Sequence, residues 1–359
     1  MTKEICDAKL EQIVKVVNIP IENIQLNLIS VETATKKKLD DDIDILVEDS
    51  PHNIMKSNAK LNLVISQPWN TSEYGKEMLK GKNILLGVTG GIAAYKMADV
   101  ASQLTKLGAD VHVVMTENAT KFIPAETFQV LTKNKVYVDV FDENPDDYVS
   151  VPHVTLGSNC DCVLVAPATA NMIGKIANGI ADDMVSTTVL PAICPVLIAP
   201  SMNVHMLENR IVQDNIAKLI SYGYEIIEPD DGHLACGYDG KGKLPQPEIL
   251  VEYVVNAALR KDTLKGKRIL VDAGPTQESI DPVRYITNHS SGKMGYAIAR
   301  AAVMRGAEVT LLSGPSVLRT PVGVKRIDVT SASDMYDAMI KESEDSDIII
   351  MAAAVADYT

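Results

Sequence analysis

The stretch Leu79–Gly91, LKGKNILLGVTGG, returns as Leu264–Thr276, LKGKRILVDAGPT. Each copy reads as a short apolar strand that runs without a spacer into a glycine turn, and a helical stretch follows. That order is the opening unit of a parallel α/β sheet, because two parallel strands need a long crossover between them, usually a helix. The repeat therefore marks two domain starts, at Leu79 and Leu264. The chain divides on this reading into an N-terminal extension (1–77), a first α/β domain (78–258) and a second (259–359). Strands are predicted at Asn83–Val88, Asp110–Met115, Asp161–Ala166, Pro195–Ala199 and Tyr224–Glu228, then at Arg268–Asp272, Ala307–Ser313 and Asp347–Ala354. A helix fits Ile92–Leu107, where Ala93, Val100, Leu104 and Leu107 recur at helical spacing and Gly108 ends the run.

Charge and composition remove several classes of function. A net charge of −13 with no clustered basic run speaks against a nucleic-acid partner. No run of about 18 uncharged apolar residues exists to span a bilayer, and Met1–Leu10 holds Lys3, Glu4 and Asp7 in place of an apolar signal core. No membrane partner and a cytoplasmic location are expected. Five cysteines, an odd number, make a poor disulfide framework. Cys160 and Cys162 lack a second pair at metal spacing and read as buried strand residues; no metal site is expected in the first domain.

The extension differs in character. DDIDILVEDSPHNI followed by LNLVISQPWN resembles the C-terminal part of a haloacid-dehalogenase-like phosphatase or nucleotidase, with Glu48 and Asp49 at the place of an acidic pair that helps hold magnesium. The D-x-D nucleophile of such enzymes is absent, so a remnant without phosphatase activity is expected. Surface acids ending an ordinary strand would read the same way.

Within the first domain, Gly87–Lys96 (GVTGGIAAYK) places Gly90, Gly91 and Ile92 where unpaired N–H groups and a helix dipole favour an anion. A tight strand-to-helix turn with no ligand has the same pattern. APATANMIGKIANGIADDM sets Thr169 and Asn171 at the carboxyl end of a strand, where α/β proteins bind ligands, or simply at a helix cap. APSMNVHM puts Met202 and Asn203 on the same edge; an amide can orient a departing carboxylate without adding a charge that would trap it. VPHVTLG places His153 in a loop before a helix or strand, as a proton-transfer group or a capping histidine. HLACGYDGKGKLPQP carries Cys236 in a glycine-rich segment suited to a closing lid, where a thiol can supply a proton.

Together these elements resemble the flavodoxin-like flavoprotein family of cysteine decarboxylases, in particular the decarboxylase half of the bacterial bifunctional coenzyme A enzymes. The resemblance spans about Met78 to Ala258. It implies a flavodoxin-like doubly wound parallel sheet and FMN held against Gly90, Gly91, Ile92, Thr116, Thr169 and Asn171. It also implies His153 as catalytic histidine, Asn203 as the amide that holds the substrate carboxylate, and Cys236 as the acid that reprotonates the intermediate. Met202 and Lys243 would line the substrate site. The implied substrate is phosphopantothenoylcysteine, whose CH2–SH group must be oxidised before the carboxylate can leave, so that the electrons delocalise onto sulfur. Relatives carry arginine where this chain has Lys243, which keeps the charge but loses a bidentate fork. The family assembles its flavin site between subunits, which implies a trimer-based homo-oligomer.

In the second domain, DAGPTQESIDPVRYITNHSSGKMGYAIA again follows a strand and opens a helix, with Gly274, Ser290, Ser291 and Gly292 offering hydroxyls and backbone N–H groups to a polyphosphate. A plain dinucleotide fold presents similar glycines. The wording resembles the phosphopantothenate–cysteine ligase half of the same family, a partial Rossmann-like α/β domain. The resemblance implies CTP and Mg2+, with Asn288 handling an acyl-cytidylate and Asp357 near the nucleotide. Family members continue past the last strand, so a truncated, inactive ligase half is expected. A complete bifunctional enzyme, a non-catalytic flavoprotein module and a nicotinamide oxidoreductase are the competing readings. The last lacks an acidic residue to hold a ribose, because strand two ends in Met115-Thr116.

Overall fold

A computed structural model describes residues 77–141, 151–233, 237 and 239–356. A break between Arg260 and Lys261 separates two compact units. Cys236, Asp357, Glu48, Asp49 and nearly all of the N-terminal extension lie outside the described residues.

The first unit grows from β1 (Asn83–Val88), which pairs in parallel with β2 (Asp110–Met115) on one side and β4 (Cys162–Ala168) on the other. With β3 (Val136–Tyr137), β5 (Val196–Pro200) and β6 (Glu225–Ile226), the order is β3-β2-β1-β4-β5-β6, parallel throughout. Without the two-residue β3 the order counted along the chain is 2-1-3-4-5, that of a flavodoxin-like sheet. All seven residues of β4 are buried, as a strand covered on both faces requires. Each fully buried Val or Leu there contributes about 1.5–3 kcal/mol relative to exposure.

Two helix layers supply the cover. On one side α1 (Lys96–Lys106), α3 (Ala125–Thr132) and α9 (Pro247–Leu259) pack together; on the other, α4 (Pro152–Asn159), α5 (Ala170–Ala177), α6 (Met184–Val189) and α8 (Arg210–Ser221) gather over the face that carries Leu85, Val163 and Val165. The short α2 (Glu117–Thr120) follows β2, and α7 (Val204–Glu208) follows β5. Helix α1 buries Met97, Val100, Ala101 and Leu104, one stripe at helical spacing. The helix predicted over Ile92–Leu107 is in fact a 3-10 turn, Ile92–Tyr95, that leads into α1. Gly91 at its N-cap has no side chain to hold an α-helical first turn open.

The described residues in and beside the glycine-rich segment read as a lid form an antiparallel ribbon, β7 (Asp230–His233) with β8 (Asp239–Lys243). Strand β6 is shorter than predicted because it pairs only with β5, over two residues.

The second unit repeats the plan. Its central β9 (Arg268–Ala273) lies between β12 (Glu308–Ser313) and β14 (Ile348–Ile350), with β13 (Val324–Asp328) beyond β12, all parallel. A separate hairpin, β10 (Gln277–Ser279) and β11 (Tyr285–Thr287), follows β9. Helices α10 (Lys293–Met304) and α11 (Ala332–Ser343) complete it. The two copies of the repeated sequence thus become the central strands of their own sheets. Strand β14 stops short of Ala354, since the N–H groups of Ala352 and Ala353 turn to the Asp272 carboxylate rather than to a strand.

Candidate functional site

In the first unit the chain leaves β1 toward β2 and later returns to lay β4 on β1's other side. The turns after β1 and β4 therefore diverge, and open sheets take ligands in the crevice this leaves at their carboxyl end. Thr89 ties the two turns together. It is buried, its hydroxyl donates to the Pro167 carbonyl, and it accepts the N–H of Thr169 at 3.3 Å. Neither contact was anticipated from sequence, although Thr89 stands inside the glycine motif.

Gly90 is there because nothing larger fits: a Cβ would stand 2.5 Å from Cβ of Asn118 in α2. A Cβ on Gly91 would meet only Pro167 and Thr169, at 3.6 and 3.8 Å, so Gly91 faces the second turn across ordinary contact distance. The N–H groups of Gly90, Ile92 and Ala93 donate to no acceptor among the described residues. Thr116 donates its N–H to Val88 at 3.0 Å and caps α2 by accepting from Ala119; Thr169 caps α5 by accepting from Met172. Both hydroxyl oxygens are thus committed to caps as acceptors while their hydrogens remain able to donate. Asn171 is exposed in the first turn of α5.

The neighbouring strand brings in Asn203. The Ser201 N–H donates to the Ala168 carbonyl at 3.0 Å, so the turns after β4 and β5 run side by side. Asn203 caps α7, its Oδ1 accepting from the His205 N–H at 2.9 Å. The Met202 N–H donates to Gly242 of the ribbon at 3.1 Å. The foot of that ribbon is anchored by Lys96, whose ammonium donates to the Leu244 carbonyl at 2.9 Å. Burial, followed by the nearby charge of Lys243, pushes the Lys96 ammonium below its ordinary value. Lys96 ends the GGIAAYK motif, yet sequence alone gave it no task. Lys243 lies partly buried at the end of β8.

His153 sits in the first turn of α4 rather than in a loop. Its Nδ1 is buried and has no hydrogen-bond partner among the described residues. Among the described residues no hydrogen bond joins it to Asn203 or Thr169.

These features fit a flavin nucleotide. The unpaired N–H groups of the first turn suit a phosphate. Ile92 and Tyr95, 59% and 60% exposed, give an uncovered apolar margin on which a planar ring can lie, and the His153 imidazole nitrogen, unpartnered among the described residues, offers a substrate a polar contact.

In the second unit the predicted residues converge on the start of α10. Asn288 donates from Nδ2 to Ala354 and accepts the Ser290 N–H on Oδ1 at 2.9 Å, bracing the turn on both sides. Gly292 caps α10 with φ +76, and its Cα hydrogen side lies against Gly274, where a Cβ would stand 3.2 Å from the Gly274 backbone. Tyr296 and Ser313 share a hydrogen bond of 2.8 Å just below. Ser291 is exposed at the helix start. Asp272 is buried, and burial raises its carboxyl above the ordinary range despite the two N–H groups it accepts.

A doubly wound sheet with an anion-ready turn at its switch point defines a nucleotide-binding α/β protein, and the motif order narrows the class to flavoproteins. Residues 72–259 match the Flavoprotein family, and residues 264–359 match the DNA/pantothenate metabolism flavoprotein C-terminal domain. The chain is 50% identical over 285 residues to the coenzyme A biosynthesis bifunctional protein CoaBC of Bacillus subtilis (strain 168), an alignment that covers 79% of this chain and 70% of that protein. It is 43% identical over 281 residues to the protein of the same name from Borreliella burgdorferi, covering 78% and 71%. Among solved structures, a PPC decarboxylase mutant complexed with pantothenoylaminoethenethiol is 26% identical, with a TM-score of 0.45 over 48% of this chain and 96% of that one. The chain belongs to the family of bifunctional coenzyme A biosynthesis proteins. No helix among the described residues is long and apolar enough to cross a membrane.

Proposed function

We propose that the first unit binds FMN between the turns after β1 and β4 and decarboxylates 4'-phospho-N-pantothenoylcysteine to 4'-phosphopantetheine. The observation that carries this reading is the Thr89 clamp, which holds an anion-ready glycine turn against the Thr169 turn at the switch point of the sheet. FMN, when bound, supplies the two-electron oxidation and reduction that a cysteinyl carboxylate needs in order to leave.

The remaining work falls to the protein. Gly90 and Ile92 hold the phosphate through backbone N–H groups, Gly91, whose own N–H donates to Thr89, lies against the cofactor without a side chain, and Thr116, Thr169 and Asn171 meet its polar edge. With Oδ1 of Asn203 accepting from His205, the atom that meets the substrate carboxylate is Nδ2, a neutral donor. His153 takes the proton that the substrate thiol gives up as its carbon is oxidised. The ribbon, pinned by Met202 and Lys96, carries Lys243 toward the substrate's charged groups, and Cys236 is the acid that reprotonates the intermediate.

The second unit is proposed to take CTP with Mg2+ at the turn formed by Gly274, Asn288, Ser290, Ser291 and Gly292, with Asp357 beside the nucleotide. A trimer-based homo-oligomer in the cytoplasm is the proposed working form. Purification in the dark, an absorbance scan and a carbon dioxide assay with the phosphopantothenoylcysteine substrate test the first unit. Yellow protein with turnover is expected, and colourless protein with none overturns the proposal. For the second unit, pyrophosphate release on incubation with CTP, cysteine and phosphopantothenate is the corresponding measurement.

A further inference from the structure

At the opposite end of the first sheet, two thiols from different connections meet. Cys160 caps the C-terminus of α4 just before β4, and Cys194 lies in the connection that enters β5. Their sulfurs are 3.3 Å apart. We propose that Cys160 and Cys194 form an exchange site for small-molecule disulfides, which closes into a reversible intramolecular disulfide at the amino ends of β4 and β5.

The geometry assigns each thiol a separate part. Cys194 is partly exposed, and its neighbours Ile193 and Leu190 are 88% and 51% exposed, so a small disulfide reaches it from solvent. Cys160 is buried, and its one S–H lies within reach of either the Gly157 carbonyl at 3.2 Å or the Cys194 sulfur at 3.3 Å. Hydrogen bonding from Cys160 draws the Cys194 thiol below its ordinary value, while the same contact and burial hold Cys160 high. Attack by a thiol requires its thiolate, which makes Cys194 the entering nucleophile.

The atoms balance as ordinary exchange. The Cys194 thiolate attacks one sulfur of RSSR, forming Cys194–S–S–R and releasing RS−. The released RS− takes the proton of Cys160, whose thiolate attacks Sγ of Cys194, breaks the mixed disulfide and expels the second RS−, which takes up the proton Cys194 gave. Two protein thiols are oxidised and one RSSR becomes two RSH. Forming the bond moves the sulfurs from 3.3 Å to about 2.05 Å. Both cysteines sit in connections rather than within strands, so the sheet register need not shift. Cys162 is excluded as the partner because it lies fully buried within β4, where its sulfur approaches the Val163 carbonyl.

Oxidised glutathione added to the full chain as purified, followed by intact mass and tryptic mapping without reductant, tests the proposal. Cleavage after Lys135, Lys175 and Arg210 leaves Cys160 in peptide 136–175 and Cys194 in peptide 176–210. The expected product lacks two hydrogens, retains no glutathione at Cys194, links those two peptides and is restored by dithiothreitol. Cys162→Ala should give the same link, and Cys160→Ser should stop with glutathione on Cys194. If Cys160→Ser folds poorly, Cys194→Ser serves instead and should leave peptide 136–175 free of glutathione, because buried Cys160 is reached only through Cys194; glutathione on that peptide overturns the assignment of Cys194 as the entering thiol. A wild-type protein that keeps glutathione on Cys194, leaves Cys194 unreacted, or links through Cys162 or Cys236 overturns the inference.

Discussion

Asp161 accepts the backbone N–H of Asn83 on its carboxylate at 2.8 Å and donates its own backbone N–H to the Asn83 carbonyl at 2.8 Å. The second unit builds the same brace: Asp347 accepts from the Arg268 N–H at 2.7 Å and donates to its carbonyl at 2.8 Å. In both, an aspartate just before the strand that crosses over fixes where that strand begins against the central one, so the switch point inherits its register from the far edge of the sheet.

The charge of Asp161 should therefore matter in a pH-dependent way. Burial by itself would raise its carboxyl, but the hydrogen bond and charge of Lys82 at 2.7 Å, with the Asn83 N–H, outweigh burial and hold it below the ordinary 3.8. A depressed folded-state value stabilises above the unfolded value and is lost as pH falls through the folded one. Asp161→Asn should cost about 1–2 kcal/mol near neutrality, discounted for partial exposure. That difference from wild type, read from urea midpoints, should shrink as pH drops below 3.8. A difference that stays constant with pH would remove the charge from the explanation.

Thr89→Val keeps the shape of the side chain and removes both hydrogen bonds of the clamp. It leaves the Pro167 carbonyl and the Thr169 N–H without their partner, a loss of about 1–3 kcal/mol for a buried group. Flavin affinity should fall with stability, because the Thr169 turn is no longer held to the glycine turn. Thr89→Ser should restore both, as measured by urea unfolding and by quenching of flavin fluorescence. Failure of serine to rescue would assign the effect to the methyl group.

How much of this was readable in the sequence depends on whether a residue's role is local. The repeat at Leu79 and Leu264 disclosed two parallel sheets and the strand that opens each, since a strand, a glycine and a helix are adjacent in the chain; that these strands are central to their sheets came from the pairing. The glycine turn and the Thr169 cap were legible for the same reason. Thr89 and Lys96 were not: their partners, Pro167 and Leu244, lie 78 and 148 residues away, and nothing in a threonine or lysine inside a quoted motif announces a distant carbonyl. Strand ends failed likewise. Ala352 and Ala353 look like strand in an apolar run, and only the Asp272 carboxylate, 80 residues earlier, turns them aside.

Two glycines of the same turn should respond differently to alanine. At Gly90 the new methyl would lie 2.5 Å from Asn118 and 3.0 Å from its backbone carbon, so α2 must move, and overpacking of this kind costs about 1–3 kcal/mol. At Gly91 the methyl meets nothing closer than 3.6 Å, so the fold should be kept while the added group occupies the mouth of the crevice. Gly90→Ala should thus lose both stability and flavin, and Gly91→Ala flavin alone. Denaturation curves and the visible absorbance of each purified variant decide the point. A fully yellow Gly91→Ala protein would take Gly91 out of the proposed cofactor site.

His153 offers the most direct test of the chemistry. A buried imidazole nitrogen with no partner among the described residues is a polar group left unsatisfied there, and native interiors rarely tolerate that unless a ligand, water or substrate completes it. His153→Ala removes that unsatisfied atom, so stability should hold or rise slightly, which separates this position from an ordinary structural histidine. Flavin content should be unchanged, since none of the groups proposed to hold FMN is altered. Carbon dioxide release should fall by about 10²–10⁴, the usual contribution of a positioned proton-transfer group. Turnover close to wild type would show that the imidazole moves no proton in the reaction, and a parallel loss of flavin would make it a cofactor contact instead.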